Sequence, residues 1–314
     1  MSPSFHIAAL KTLEIGKATG PDEIPAKLLK ETAAVIAPSL CKIFNKSLQL
    51  GSLSSDWKLA NVVPVHKKGA KDHVENYRPI SLLPTVSKVF ELCVLNSIKD
   101  NLYQVISPKQ YGFCTGRSCV TNLLEALDPI GSLLDSGSQV DTIYFDMSKA
   151  FDKVSRRRLV HKLRQAGFSG NLPNWFCSYL SSRRQRITVL GATSEDLPVT
   201  SGVPQGSIHG PALFVLYFND LPEVISSSSR VLMFADGTKI FREIKTLGDA
   251  SSLQEDLGKL ATCSQSSGLL FNEAKCEAQH IGKQSRSYPL TNSTTPHLNH
   301  MLQKKIWAFG LVRI

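Results

Sequence analysis

The run V-L-M-F-A-D-G-T-K-I-F-R, residues 231–242, organises the whole chain. An apolar segment meets one acid, Asp236, then Gly237, then a second segment of mixed polar and apolar residues. Two strand-like segments joined at Asp-Gly predict a β-hairpin with Asp236 at its tip. A carboxylate at the end of a buried segment is costly unless a counter-charge or a metal ion compensates it. The same situation recurs in I-Y-F-D-M-S-K-A-F-D, residues 143–152, where an apolar strand over 140–145 ends at Asp146. Either acid alone reads equally well as a helix cap or as half of a buried ion pair. Two of them in one basic chain are better explained as ligands of Mg²⁺, which takes a few carboxylates together with substrate phosphates. Two such ions, about 3.5–4 Å apart, clamp the attacking and leaving oxygens of an in-line phosphoryl displacement.

The chain has 314 residues, 42% of them apolar, enough to bury one large or two ordinary domains. Its net charge of +10 points to a polyanionic partner, although a merely basic protein would carry it too. The seven cysteines are odd in number and scattered, without Cys-x-x-Cys or paired Cys/His spacing, which argues against zinc and for reduced thiols in an intracellular setting. The N-terminus lacks a basic start followed by an apolar run, so no signal peptide is expected and the location is nucleus or cytoplasm. No apolar run reaches membrane-spanning length.

Taken in order, the chain predicts an amphipathic segment over 5–20 and a helical apolar face from Leu28 to Leu48, interrupted at Pro38. A strand over 60–65 runs into the basic loop H-K-K-G-A-K, residues 66–71. Helices are expected over 85–102, 120–136, 156–167, 172–180 and 247–267, with paired strands at 185–191 and 196–201. G-V-P-Q-G-S-I-H-G-P, residues 202–211, is a glycine-punctuated loop opening a helix at Ala212. From about Gln284 the pattern dissolves into Ser, Thr, Pro and Asn. Uneven alternation of strands and helices favours α+β over a regular doubly wound sheet.

Eight runs, in order, resemble the reverse transcriptase domain of non-LTR (LINE-type, jockey/CR1-like) retrotransposons. They are G-P-D-E-I-P-A-K-L-L-K (20–30), P-V-H-K-K-G (64–69), N-Y-R-P-I-S-L-L (76–83), Q-Y-G-F-C-T-G-R-S-C (110–119), Y-F-D-M-S-K-A-F-D-K-V (144–154), S-G-V-P-Q-G-S-I-H-G-P (201–211), F-A-D-G-T-K (234–239) and G-L-L-F-N-E-A-K-C (268–276). Telomerases and group II intron maturases share the two acids, but the runs over 20–119 fit them less well.

The resemblance implies an α+β right-hand polymerase: fingers and palm, an antiparallel palm sheet packed on helices, and the thumb mostly absent. The expected organisation is an N-terminal extension over 1–19, a fingers-like region with part of the palm over 20–138, the palm over 139–283, and a divergent tail over 284–314. The expected partners are an RNA template, a DNA primer and a dNTP, with two Mg²⁺ that Mn²⁺ can replace; no membrane is expected. Asp146 and Asp236 match the catalytic metal ligands. Lys67, Lys68 and Arg78 match the residues that grip the triphosphate, chemistry suited to point charges and a bidentate guanidinium. Phe151 matches the aromatic under the sugar that excludes a 2′-hydroxyl, and Gln205 and Gly206 match the loop packing on the incoming nucleotide. Arg117 is expected on the template backbone and Lys275 near the leaving pyrophosphate, as a possible acid. The other arginines at 156–158, 183, 184 and 186 read as solvated charges, some of them able to meet nucleic-acid phosphates.

Three departures stand out. The family carries two adjacent acids in the hairpin, F-A-D-D, where this chain has F-A-D-G, so Gly237 offers no ligand. Around Gly210 and Pro211 the family usually has leucines, whereas this chain has His209 and Ala212. The run begins at the polymerase region without an endonuclease and has only a short stretch after residue 284 where a thumb would follow. These departures leave an alternative open: a catalytically dead nucleic-acid-binding fragment or relic.

Overall fold

The structure, a computed structural model, describes residues 1–282. The divergent tail and abbreviated thumb expected over 284–314 lie outside the described residues. The chain forms two compact units and passes between them three times: Met1–Val105 with Val154–Leu216 make the first, and Ile106–Lys153 with the chain from Tyr217 make the second.

The first unit opens with α1 (Pro3–Lys11), α2 (Ala26–Glu31) and α3 (Ala33–Leu50). It continues with β1 (Leu59–His66), β2 (Tyr77–Leu82) and α4 (Thr85–Val105). The second unit then takes α5 (Cys119–Asp135) and β3 (Gln139–Phe145). Back in the first unit come α6 (Arg156–Gln165), α7 (Leu172–Leu180), β4 (Arg183–Val189), β5 (Ala192–Thr193), β6 (Leu197–Val199) and α8 (His209–Tyr217). The second unit closes with β7 (Arg230–Phe234), β8 (Gly237–Ile244), α9 (Leu247–Ser267) and β9 (Glu277–Ile281).

In the first unit the sheet runs β2-β1-β4-β5, with β6 also on β4; only the β1–β4 pairing is parallel. Its core is aromatic. Phe44 stacks on Phe90 with ring centres 4.2 Å apart, and Trp175 meets Phe90 edge-on at 5.1 Å. The helical segment near the start breaks at Thr32 and not at Pro38, which lies inside α3. A proline this close to a helix start removes few backbone bonds. The buried face of α3 is Ala33, Ala37, Cys41 and Phe44, while Val35 and Ile43 face solvent. The small residues lie inward because α1 packs closely there.

In the second unit the four strands β7-β8-β3-β9 are antiparallel throughout. The β3 strand is central, which is why its residues are nearly all buried and its sequence shows no alternation. Helix α5 packs on β3 and β7, closing a core of Ala126, Ile130, Val140, Leu232 and Phe241. Its start is fixed by a reciprocal cap in which the Ser118 hydroxyl accepts from Thr121 N–H and the Thr121 hydroxyl accepts from Ser118 N–H.

The two arginines read as solvated at 156 and 183 are not so. Arg183 is 3% exposed, donates to the Tyr179 and Trp57 carbonyls and lies over the Tyr179 ring. Arg156 donates to the carbonyls of Val199, Ser201 and Gly202, fixing the chain that leads into the 202–211 loop. Arg157 and Arg158 are exposed, as expected.

His209 is fully buried among Trp175, Phe176 and Tyr179, and its Nε2 has no hydrogen-bond partner among the described residues. Burial pulls its pKa down to about 3, so the ring is neutral and carries an unmet polar atom. Replacing it with the leucine usual at this place should stabilise the protein by about 1 kcal/mol, the desolvation penalty outweighing the lost ring contacts. A thermal melt of His209→Leu checks this; a lower midpoint than the parent's contradicts it.

Candidate active site

The register of the second sheet brings the two acids together. Phe145, the last residue of β3, pairs with Thr238 of β8, and Phe234 pairs with Gly237 across the β7–β8 hairpin. Asp146 and Asp236 therefore emerge at the same end of adjacent strands. Their carboxylates lie within hydrogen-bonding reach. Burial, and then the negative charge of Asp146, push the pKa of Asp236 above the usual carboxylate range, against the opposing pull of Lys275. Lys275 Nζ donates to Asp146 Oδ2, so one cation already sits on this pair. The segment carrying Lys275 is tied down beside β3: Asn272 N–H donates to the Asp146 carbonyl at 2.7 Å, and Ser148 N–H to the Leu270 carbonyl at 2.9 Å.

The hairpin expected over 231–242 is present, but its turn residues are Ala235 and Asp236, not Asp236 and Gly237. Ala235 has φ +56° while Asp236 is not left-handed, the φ pattern of a type II′ turn. Gly237 is the first residue of β8, without a positive φ. An alanine in the left-handed region costs about 1–2 kcal/mol, so something must hold it there.

That something is Gln110, a residue the sequence did not single out. Its side chain is fully buried, and its Oε1 accepts from Ala235 N–H (2.9 Å) and Gly112 N–H (2.7 Å) while its Nε2 donates to the Ala235 carbonyl (3.2 Å). Gly112 lies so close that any Cβ there would stand 2.2 Å from Ala235 N. The signal available in the sequence was the Gln-x-Gly spacing, which lets a side-chain oxygen reach the amide two residues on.

Arg117 lies on the same loop. Its Nη1 donates to the carbonyls of Ser107 (3.1 Å) and Gln110, and its guanidinium sits 5.6 Å from the Tyr111 ring centre. Phe151 lies five residues after Asp146 and meets Phe113 edge-on at 6.3 Å.

The remaining expected residues belong to the first unit. Lys67 and Lys68 are exposed in the β1–β2 hairpin loop and Arg78 is exposed on β2; none makes an ion pair among the described residues. That loop is shaped by Asn76, which donates to the Ala70 carbonyl, and by Lys67 N–H on the Asn76 carbonyl. Gln205 and Gly206 lie flat on β2: Ser81 N–H donates to the Gln205 carbonyl at 2.7 Å, and Gly206 has φ +111°. A Cβ at Gly206 would stand 2.7 Å from the Ser81 carbonyl oxygen, so only glycine fits.

Comparison with solved structures shows the class of fold. Telomerase of Candida tropicalis without its C-terminal domain superposes with TM-score 0.53 at 12% identity, over 81% of this chain and 56% of that one. This is a fingers and palm polymerase fold, with mixed helices and antiparallel sheets. A sequence model described as reverse transcriptase (RNA-dependent DNA polymerase) matches residues 65–304, and the chain belongs to that family. Its relatives include the RNA-directed DNA polymerase from mobile element jockey of Drosophila melanogaster, 28% identical over 88% of this chain and 31% of the relative. The probable RNA-directed DNA polymerase from transposon X-element of the same species is 32% identical over 76% of this chain and 27% of that one. The chain thus spans between a quarter and a third of the length of these curated relatives. Among the described residues no helix is long and apolar enough to cross a membrane.

Two outcomes follow from this geometry. A raised folded-state pKa at Asp236 means the fold prefers its protonated form; the stability it contributes is full below the unfolded value of 3.8 and is lost as pH rises through the folded one. Asp236→Asn should therefore raise the melting temperature of the metal-free protein at pH 7 by about 2–4 °C, and that gain should vanish in acid. Melting curves from pH 3 to 8 test it. Gln110→Ala strands two buried N–H groups and should cost about 2 kcal/mol or more in denaturant titration, whereas a loss within error would remove Gln110 from the hairpin's support.

Proposed function

We propose that this chain is the RNA-directed DNA polymerase domain of a non-LTR retrotransposon, transferring nucleotides from a dNTP to a primer 3′-hydroxyl on an RNA template. The observation that carries the reading is the convergence of two carboxylates, from adjacent strands, that repel one another and are answered by a single lysine. A pair with that much unneutralised negative charge suits divalent cations, which the family generally uses. Bound Mg²⁺ would supply Lewis-acid stabilisation of the charge that develops on the transferred phosphoryl group.

The chain's own residues have separable tasks in this reading. Asp146 and Asp236 hold the metal ions. Lys275, beside Asp146, would serve as a proton donor to the pyrophosphate leaving group. Lys67, Lys68 and Arg78, exposed and without ion-pair partners, bind the triphosphate. The backbone at Gln205 and Gly206, seated on β2, receives the base and sugar. Phe151 packs beneath the sugar. Arg117 is committed through one nitrogen to its own loop; its remaining N–H groups are what a template phosphate would use.

Gly237 favours a second reading, a relic that binds RNA or DNA through its basic surface and polymerises nothing. One ligand fewer costs about 3 kcal/mol of transition-state stabilisation, a hundredfold or more in rate. The fold accepts the missing acid: a Cβ at Gly237 meets only the Phe234 carbonyl oxygen, at an ordinary 3.4 Å. Primer extension with Mg²⁺ and with Mn²⁺, comparing the parent chain with Gly237→Asp, should show the substituted protein faster by about a hundredfold or more. Equal rates would contradict the assignment of that position. Salt-dependent RNA binding without incorporation by either protein would establish the relic.

A further inference from the structure

The first unit buries a carboxylate that none of the tasks above uses. Glu91, on α4, is 1% exposed. Its Oε2 accepts from the backbone N–H of Ile208 at 2.8 Å and of His209 at 3.2 Å. These are the last amides before α8 and the first within it, groups that a helix leaves without intrahelical partners. The Tyr179 hydroxyl and the Arg183 guanidinium neighbour the same carboxylate; burial raises the pKa of Glu91, while Arg183 and the two amides pull it back. A buried acid with two backbone donors and a buried arginine beside it is expensive to place, and core packing alone would be served better by a leucine.

Its position along the chain explains the expense. Ile208 is two residues beyond Gly206. The loop is gripped on one side by β2, through Ser81 N–H on the Gln205 carbonyl and the contact that only glycine permits at 206. Glu91 grips the other side. Between them, the Ser207 hydroxyl donates to the Pro204 carbonyl at 2.8 Å and accepts from Gly210 N–H at 2.9 Å. Arg156 holds the approach to the loop through three carbonyls. The Pro204 and Gln205 carbonyls and the Ser207, Ile208 and His209 amides are thus met from inside the unit, and Glu91 is the acidic member of the set.

We propose that Glu91 is a positioning residue for the incoming deoxynucleoside triphosphate: by holding the amides of Ile208 and His209 it fixes the backbone of Gln205 and Gly206 in the shape that receives the nucleotide. The inference rests on the polymerase reading and on that loop's role within it. It makes no claim that Glu91 touches substrate. A carboxyl oxygen that accepts from two amides locks the loop before the nucleotide arrives, so binding spends little on ordering it.

The test uses the full chain carrying Gly237→Asp, with Glu91→Ala and Glu91→Gln added separately. Amide hydrogen exchange at Ile208 and His209 should speed up about tenfold or more in Glu91→Ala and much less in Glu91→Gln, whose amide oxygen still accepts, while amides of β1 keep their protection. In primer extension the KM for dNTP should rise about tenfold in Glu91→Ala with kcat changed less than about twofold, and Glu91→Gln should recover most of the loss. A merely structural role would lower the amount of folded enzyme, hence apparent kcat, and leave KM alone. Extension with an unmoved KM, or unchanged exchange at both amides, overturns the inference while sparing the polymerase reading. No extension by the Gly237→Asp parent overturns that reading and the inference with it.

Discussion

Two like charges pressed together at the end of a sheet set the terms for the rest of the second unit. Asp146 and Asp236 would relax apart if their strands allowed it, and the strands do not. The β3–β8 pairing fixes their separation, Gln110 pins the turn behind Asp236, and the 270–276 segment pins the backbone at Asp146. The cost of holding them together shows in the Asp236 carboxyl, which burial and Asp146 push above the usual carboxylate range. Lys275 offsets part of that cost within the chain itself. Such local conflict is expected where a fold carries chemistry.

Much of this was legible beforehand, and the reason differs by element. The β3 strand announces itself because the run I-Y-F, residues 143–145, stops at a charge, and charges do not follow buried segments without cause. Helices α4, α5, α7 and α9 keep helical spacing long enough to be read to within a few residues. The hairpin was legible, but its turn was not. Asp-Gly is the better turn pair by intrinsic preference, and tertiary contacts from Gln110 and Gly112 moved the turn back by one residue onto an alanine. The β2 strand passed unassigned because Pro79 interrupts it, tolerable only on a sheet edge, which is where β2 lies.

What stayed hidden has a common character. Gln110, Glu91, Arg183 and Arg156 act through backbone atoms of distant segments, and a side chain that serves a carbonyl or an amide leaves no periodic trace. A lone glutamate in an amphipathic helix such as α4 reads as surface, and a basic cluster reads as solvated, because that is where most such residues lie. Only the fold reveals that the carboxylate points inward and that two of the arginines are structural. The sequence shows which residue types the chemistry needs; the means of holding them are spread over residues whose types suggest nothing.

The way the chain passes between its units has a consequence for its birth on the ribosome. Strand β3 is the centre of its sheet, yet it is made long before either neighbour: β8 begins at Gly237 and β9 at Glu277. At about 5–20 residues per second, an apolar strand with both edges bare waits several seconds for a partner while the first unit's later helices are still being made. Such an edge invites pairing with any other chain in the same condition. Synthesis, before β8 and β9 exist to cover it, is therefore a stage at which β3 is open to wrong pairing.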